Sequence, residues 1–328
     1  YNQYAPMAGN LELRETIAEK MDALYSSTYH PENEITITSG ATQAISTIIS
    51  TFVKPNDEVI IFKPAYDSYE PGIKLNGGKV IPIQLQAPNF SVDWNAVNQK
   101  INNQTKMIII NTPHNPSGTI FSKADMLELE RLTKNTNIIV LSDEVYEHMI
   151  YDDKKHQSAC LFPDLKSRSF VVASFCKTFH NTGWRIGYCC APKVLMELFR
   201  QVHQFSVFCV HHPTQKGIAD YMREPKHYLE LSAFYQKKRD LFLSLIKGSR
   251  FTFTPSEGTY FQVLDYSKIT SEYDVDFAKR LTIESGLASI PLSVFNENNL
   301  DNNVLRFCFA KTEDTLKKAA DILNRKKK

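Results

Sequence analysis

The string Ser174-Phe175-Cys176-Lys177-Thr178-Phe179-His180-Asn181-Thr182-Gly183-Trp184-Arg185-Ile186-Gly187-Tyr188 holds the densest set of chemically capable side chains in the chain. It begins where a short apolar run, residues 169–174, comes to an end. That is where open α/β sheets place their ligands. A lysine amine forms imines with carbonyl compounds, and desolvation beside another cation lowers its pKa enough for it to react. Arg185, eight residues after Lys177, offers a planar fork suited to a phosphate, with the Ser174 hydroxyl to assist. The pattern is that of a Schiff-base lysine beside a phosphate site.

Four further places carry charge or polarity where burial would be costly. Asp143 closes the apolar run 137–142, so its carboxylate must face a cation, cap the next helix or pair with a local arginine. Arg306 interrupts Leu305-Arg306-Phe307-Cys308-Phe309, and a buried guanidinium needs a carboxylate from a ligand or from the protein. Ser39-Gly40-Ala41-Thr42 leads from a strand into a helix, either as a backbone phosphate cradle or as a plain helix start. Asn115, in Asn115-Pro116-Ser117-Gly118, is turn chemistry or a ligand to something above the turn.

The elements that must position these residues alternate. Strand-sized apolar runs at 57–62, 79–85, 106–111, 137–142 and 169–174 are separated by helical patterns at 41–53, 66–75, 93–101 and 122–133, with Ser122 as an N-cap. Such alternation predicts an α/β fold with a mostly parallel central sheet and helices on both faces. Beyond residue 193 helices dominate at 194–208, 213–222 and 225–246. Strands follow at 250–253, 258–264, 287–290 and 304–310, with helices at 275–285 and 313–325. We therefore expect a large α/β domain at 25–224. A smaller α+β domain is expected from 1–24 together with 225–328, the helix at 11–24 presenting Leu13, Ile17, Met21 and Leu24 on one face.

Composition removes several classes. Lys+Arg 38 against Asp+Glu 36 leaves a formal net charge of +2, with no basic stripe for nucleic acid. The one basic run, Arg325-Lys326-Lys327-Lys328, reads as a solvated tail. No segment approaches the roughly 20 apolar residues of a membrane helix. The six cysteines lack C-x-x-C spacing and read as reduced, mostly buried thiols of a cytoplasmic protein. No G-x-G-x-x-G follows a strand and no G-x-S-x-G elbow occurs. The nine histidines show no H-E-x-x-H pattern, so no metal site is expected.

The Ser174 to Gly187 string, with S-x-x-K followed by G-x-R-x-G, resembles the pyridoxal-phosphate-dependent aminotransferases of the aspartate aminotransferase fold type. Gln3-Tyr4-Ala5-Pro6, Tyr66-Asp67-Ser68-Tyr69, Asn111-Thr112-Pro113-His114-Asn115-Pro116-Ser117-Gly118 and Ile290-Pro291-Leu292-Ser293-Val294-Phe295 are similar to the methionine and kynurenine aminotransferase branch. The likeness runs from Tyr1 to about Leu323. It implies pyridoxal 5'-phosphate bound by Gly40, Ala41, Thr42, Tyr66, Asn115, Asp143, Tyr146, Ser174, Lys177 and Arg185. Lys177 is then the catalytic lysine, Asp143 faces the pyridinium nitrogen, Tyr146 and Asn115 meet the 3′ oxygen, and Tyr66 stacks on the ring. Arg306 would grip the substrate carboxylate, with Asn115, Tyr66 and an apolar Phe179 nearby. The likeness also implies a homodimer with shared sites, completed by Tyr4 and Phe208 of the partner subunit. Family members extend further upstream through a segment lining the substrate pocket, and one of that kind is expected ahead of Tyr1.

The implied activity is ping-pong transamination from a hydrophobic, aromatic or sulfur-containing L-amino acid (methionine, phenylalanine, tyrosine or kynurenine) to a 2-oxo acid, with Lys177 moving the Cα proton. A C–S β-lyase stands beside it. A non-catalytic aminotransferase-like ligand-binding domain is the alternative of a different class. No nucleic acid or membrane partner is expected.

Overall fold

The computed structural model describes residues 1–325. The basic run at the end of the chain lies, from Lys326 onward, outside the described residues.

Among the described residues, ten strands form two sheets. β1 (Ile35–Thr38), β2 (Glu58–Lys63), β3 (Lys79–Gln84), β4 (Thr105–Asn111), β5 (Ile139–Asp143), β6 (Ser169–Ala173) and β7 (Gly187–Cys190) make a seven-stranded sheet in the order β1-β7-β6-β5-β4-β2-β3. Every neighbouring pair is parallel except those involving β7, which runs antiparallel to both β1 and β6. β8 (Phe261–Asp265), β9 (Ile290–Pro291) and β10 (Val304–Cys308) make a three-stranded antiparallel sheet in the order β8-β10-β9. The α/β class with a mostly parallel sheet is therefore as expected.

The continuous apolar strands of the large sheet have a simple cause: both faces are covered. Side chains alternate across a strand. Ile108 and Ile110 of β4 enter one core while Met107 and Ile109 enter the other. Val140 against Ile139 and Leu141 on β5, and Val171 against Phe170 and Val172 on β6, repeat the division. The helix α2 (Ala41–Phe52) seals the second face with Ala44, Ile45, Ile48, Ile49 and Phe52, its apolar residues spaced at helical periodicity. A third core surrounds the small sheet, drawing Leu264, Leu305 and Phe307 together with the helices Leu231–Ile246, Asp274–Ser285 and Glu313–Arg325.

One expectation is corrected. The helix α1 (Leu11–Tyr25) does not join the small sheet. Its Leu13, Ile17 and Met21, four residues apart, sink into the first core beside Ile35 and Ile37 of β1. Lys20, on the adjoining face, is buried against Glu147 at 2.5 Å and the Tyr188 hydroxyl at 2.7 Å. The periodicity of α1 marked Leu13, Ile17 and Met21 correctly, while Leu24, at the end of the helix, stays half-buried outside the core; the pattern carried no sign of which core would take the stripe.

Three buried histidines give the fold a pH dependence. Burial pushes His114 down to about 4, His148 down to about 3 and His203 down to about 4. The folded chain keeps them neutral while the unfolded chain, with histidine near 6.5, takes up protons. Stability is thus full above that value and falls as pH drops from about 6.5 toward 4, by up to about 1.4 kcal/mol per pH unit for each histidine. Urea midpoints measured from pH 8 to pH 5 should decline below pH 6.5. A flat profile would show that these imidazoles are not held neutral.

Candidate active site

The carboxyl ends of the parallel strands and the amino end of antiparallel β7 meet at one edge of the large sheet. There they deliver a pocket lined by Ala41, Thr42, Ile45, Tyr66, Asn111, Asn115, Asp143, Val145, Tyr146, Ser174, Lys177 and Arg185. Nine of these are residues singled out on sequence, and Gly40 sits directly behind Arg185.

Lys177 stands on the single helical turn Phe175–Thr178 that follows β6. Its Nζ lies 5.9 Å from the centre of the Tyr146 ring and makes no ion pair among the described residues. Ser174 takes the cap position of that turn, yet its side chain makes no capping bond and is left for the pocket. Arg185 is held in the left-handed region at φ 52°, which turns its side chain across the sheet edge toward α2. A Cβ on Gly40 would stand 2.9 Å from Arg185 Nη2, so the guanidinium approaches the backbone at the start of α2 only because residue 40 is glycine. Gly40 has φ 78° and supplies no side-chain cap, so the start of α2, with its uncapped N–H groups, lies beside the guanidinium. The result is a small anion cradle.

Asp143 is 4% exposed at the end of β5. The Tyr69 hydroxyl donates to its Oδ2 at 2.5 Å and the Val145 N–H approaches its Oδ1 at 3.4 Å. Burial pushes this carboxyl up to about 6, against the Tyr69 and Val145 hydrogen bonds and the charge of Lys177. A buried acid so poised is completed by a cation in the pocket. Tyr146 lies beside it, its hydroxyl pushed well above the ordinary phenol value by burial.

Asn111 organises the opposite wall. Its Nδ2 donates to the Asp143 carbonyl at 2.9 Å and its Oδ1 accepts from the Asn115 N–H at 2.8 Å. Asn115 Oδ1 in turn accepts from Arg306 Nη1 at 2.6 Å. Arg306 reaches across from β10, the Phe261 ring 4.0 Å from its guanidinium carbon and the Phe295 ring at 5.7 Å. Burial lowers its pKa, but from so high a value that it stays charged. No carboxylate of the chain pairs with it among the described residues.

Three residues named on sequence lie elsewhere. Tyr4 and Phe208, 78% and 54% exposed, meet edge to face at 5.1 Å on the surface, outside their own chain's pocket. Phe179 stacks on Phe175 and abuts Tyr221, so it does not line the pocket as expected for a substrate residue. Ile45, Tyr69, Asn111 and Val145 were not singled out. Tyr69 had one usable signal, since it stands three residues after Tyr66 and one helical turn would set it behind that ring.

The model of the family described as "Aminotransferase class I and II" matches residues 1–323. A methionine aminotransferase of Escherichia coli K12 is 45% identical over 323 residues, covering 98% of this chain and 84% of that protein. The chain belongs to the class I and II aminotransferases. A kynurenine–oxoglutarate transaminase of Dictyostelium discoideum is 30% identical, covering 100% of the chain and 84% of the relative. A solved structure of an E. coli methionine aminotransferase superposes with a TM-score of 0.97 at 45% identity, over 99% of this chain and 86% of that one. An aromatic aminotransferase from Pyrococcus horikoshii gives 0.92 at 29% identity, over 98% and 87%.

The aminotransferase cofactor is pyridoxal phosphate, and the residues present suit it. The anion cradle at Gly40, Ser174 and Arg185 matches a phosphate, the buried Asp143 matches a protonated ring nitrogen, and the unpaired Lys177 amine matches an aldehyde. Among the described residues no helix is long and apolar enough to cross a membrane.

Proposed function

We propose that the enzyme transfers the amino group of a hydrophobic, aromatic or sulfur-containing L-amino acid to a 2-oxo acid in two half-reactions. The observation that carries this reading is the 2.6 Å bond from Arg306 to Asn115, which brings a carboxylate-seeking cation to the edge of the pocket holding Lys177. When bound, pyridoxal phosphate supplies the electron-withdrawing ring that stabilises charge left on Cα. Arg185, Ser174 and the start of α2 hold its phosphate, Tyr66 covers the ring, Asp143 keeps the ring nitrogen protonated, and Tyr146 and Asn115 bind the 3′ oxygen. Arg306 fixes the substrate carboxylate, so the Cα–H bond is presented to Lys177 Nζ in one orientation. Lys177 Nζ takes that proton from Cα and, now as general acid, would give it up to the bound cofactor rather than back to Cα.

Apart from Lys177, Arg185 and Arg306, no cationic side chain reaches this pocket among the described residues. A side-chain carboxylate would therefore be buried without a partner, which is strongly disfavoured. Methionine, phenylalanine, tyrosine and kynurenine as donors should each exceed aspartate in kcat/KM by about 100-fold or more. Aspartate as the best donor would sink this specificity. Pyruvate released from cystathionine faster than amino groups are transferred would make the enzyme a β-lyase instead.

The exposed Tyr4–Phe208 pair supports a homodimer in which Tyr4 of the partner subunit reaches the phosphate and Phe208 of the partner subunit reaches the substrate. The packing of α1 on the large sheet supports a large unit that takes in α1 and residues up to 224, with a smaller unit from 225 onward, the two interlocked where Val145, Tyr146, Met149 and Tyr151 enter the third core and Leu292 and Val304 enter the first. Six free cysteines are in keeping with a reducing, cytoplasmic setting.

A further inference from the structure

His114 immediately precedes Asn115 and is 3% exposed. Its Nε2 lies 3.0 Å from the carbonyl oxygen of Pro64, two residues before Tyr66. That oxygen can only accept, so Nε2 carries the proton and Nδ1 is an acceptor, 2.6 Å from the Ser117 hydroxyl. Ser117 then spends its proton on the imidazole and accepts from the Thr119 hydroxyl at 2.7 Å. One direction of donation runs through the whole chain, from Thr119 to Ser117 to His114 to Pro64. Nothing in it is free to reverse.

The same segments are tied a second time. The Ala65 N–H donates to the Phe295 carbonyl at 3.0 Å, and the Phe295 ring flanks Arg306, whose Nη1 returns to Asn115. The contacts close a ring: Arg306, Asn115, His114, Pro64, Ala65, Phe295 and again Arg306. It joins the exits of β2 and β4 to the small sheet, and it holds the two ends of the pocket through three hydrogen bonds, the intervening peptide bonds and the contact of the Phe295 ring with Arg306. Of its two ties to the Tyr66 segment, one is backbone and one is the imidazole.

We propose that His114 is a positioning residue that couples the substrate-carboxylate site at Arg306 to the cofactor-covering ring of Tyr66. A carboxylate on Arg306 orders the Asn115 turn, and His114 passes that order to residues 64–66, so each ligand tightens the other's site. The inference rests on the roles proposed above for Arg306 and Tyr66.

The test is linkage. Cofactor-free protein is titrated with pyridoxal phosphate with and without 3-phenylpropanoate, a carboxylate that lacks the amino group and cannot react. In the unsubstituted protein the carboxylate should tighten cofactor binding by about fivefold or more. His114→Gln places an amide donor near the Nε2 position and should keep that dependence. His114→Asn reaches only as far as Nδ1 and should abolish it. Cofactor affinity that ignores the carboxylate in the unsubstituted protein overturns the coupling, as does full dependence in His114→Asn. Hydrogen exchange in the unsubstituted protein needs no variant: amides of residues 64–69 should slow when 3-phenylpropanoate binds, and unchanged exchange overturns the proposal. A protein that binds the carboxylate but no pyridoxal phosphate sinks the proposed function together with the coupling.

Discussion

Lys177→Ala should leave a folded protein that has lost the visible absorbance of covalently held cofactor and about 10⁴-fold in turnover, the upper end of what positioned general acid–base groups supply. No other amine lines the pocket among the described residues, so no neighbour can take over the Cα proton. The pocket should register the loss a second way. The Lys177 charge helps to hold the Asp143 carboxyl down against its burial, so its removal pushes that carboxyl higher still. Pyridoxal phosphate should therefore bind Lys177→Ala more weakly than attachment alone would explain. The checks are the absorbance spectrum, single-turnover kinetics with methionine, and cofactor stoichiometry after desalting. A variant retaining a tenth of the turnover would remove Lys177 from the reaction.

Asp143→Asn is expected to have the second largest effect, a loss in kcat of about 10²–10³, the range seen when one preorganised electrostatic group is removed. The substitution is nearly isosteric. The Tyr69 hydroxyl can donate to the amide oxygen as it does to Asp143 Oδ2, so the wall of the pocket should stand. The charge that would face the ring nitrogen of a bound cofactor is what disappears. Under the proposed roles, losing that charge would leave the ring nitrogen unprotonated and a weaker electron sink, so removal of the Cα proton by Lys177 should slow while carboxylate binding at Arg306 should not change. The signature is therefore kcat reduced with KM little changed. A rise in KM at constant kcat would assign Asp143 to substrate binding instead.

The pocket was largely legible because its residues stand where apolar runs stop. Asp143 as the last residue of β5, Ser174 and Lys177 after β6, and Asn115 after β4 are each polar groups at or just beyond the end of a strand that must be buried. Tyr69 escaped because an aromatic residue opening a helix reads as core, and its hydrogen bond depends on how the helix Tyr69–Leu75 docks against β5. Asn111 escaped because it is the last residue of a strand, where its side chain serves the backbone of β5 and of the next turn.

The fold was legible where the pattern was strong and failed where pairing had to be known. The strand run at 250–253 is only the bridge of Thr252 to Asp265, and that at 287–290 shrinks to β9, because short runs cannot announce a missing partner. The helix pattern at 225–246 divides into Lys226–Leu229 and Leu231–Ile246. The antiparallel course of β7 had no signature, since its four buried residues suit either direction.

That reversed strand has a consequence for how far the lysine loop can vary. Ala173 of β6 pairs with Tyr188 of β7, so the chain leaves the sheet and re-enters it at adjoining places. Lys177 lies close to the departing anchor and Arg185 close to the returning one, and the tip between them is free of the task of aligning the two. Ring closure grows costlier by only about 0.6 kcal/mol for each doubling of loop length. Insertions or a backbone nick around His180–Asn181 would thus be borne by the tip. The places of amine and guanidinium are built outward from the two sheet anchors, through the turn Phe175–Thr178 on one side and the left-handed Arg185 on the other, rather than from the tip between them.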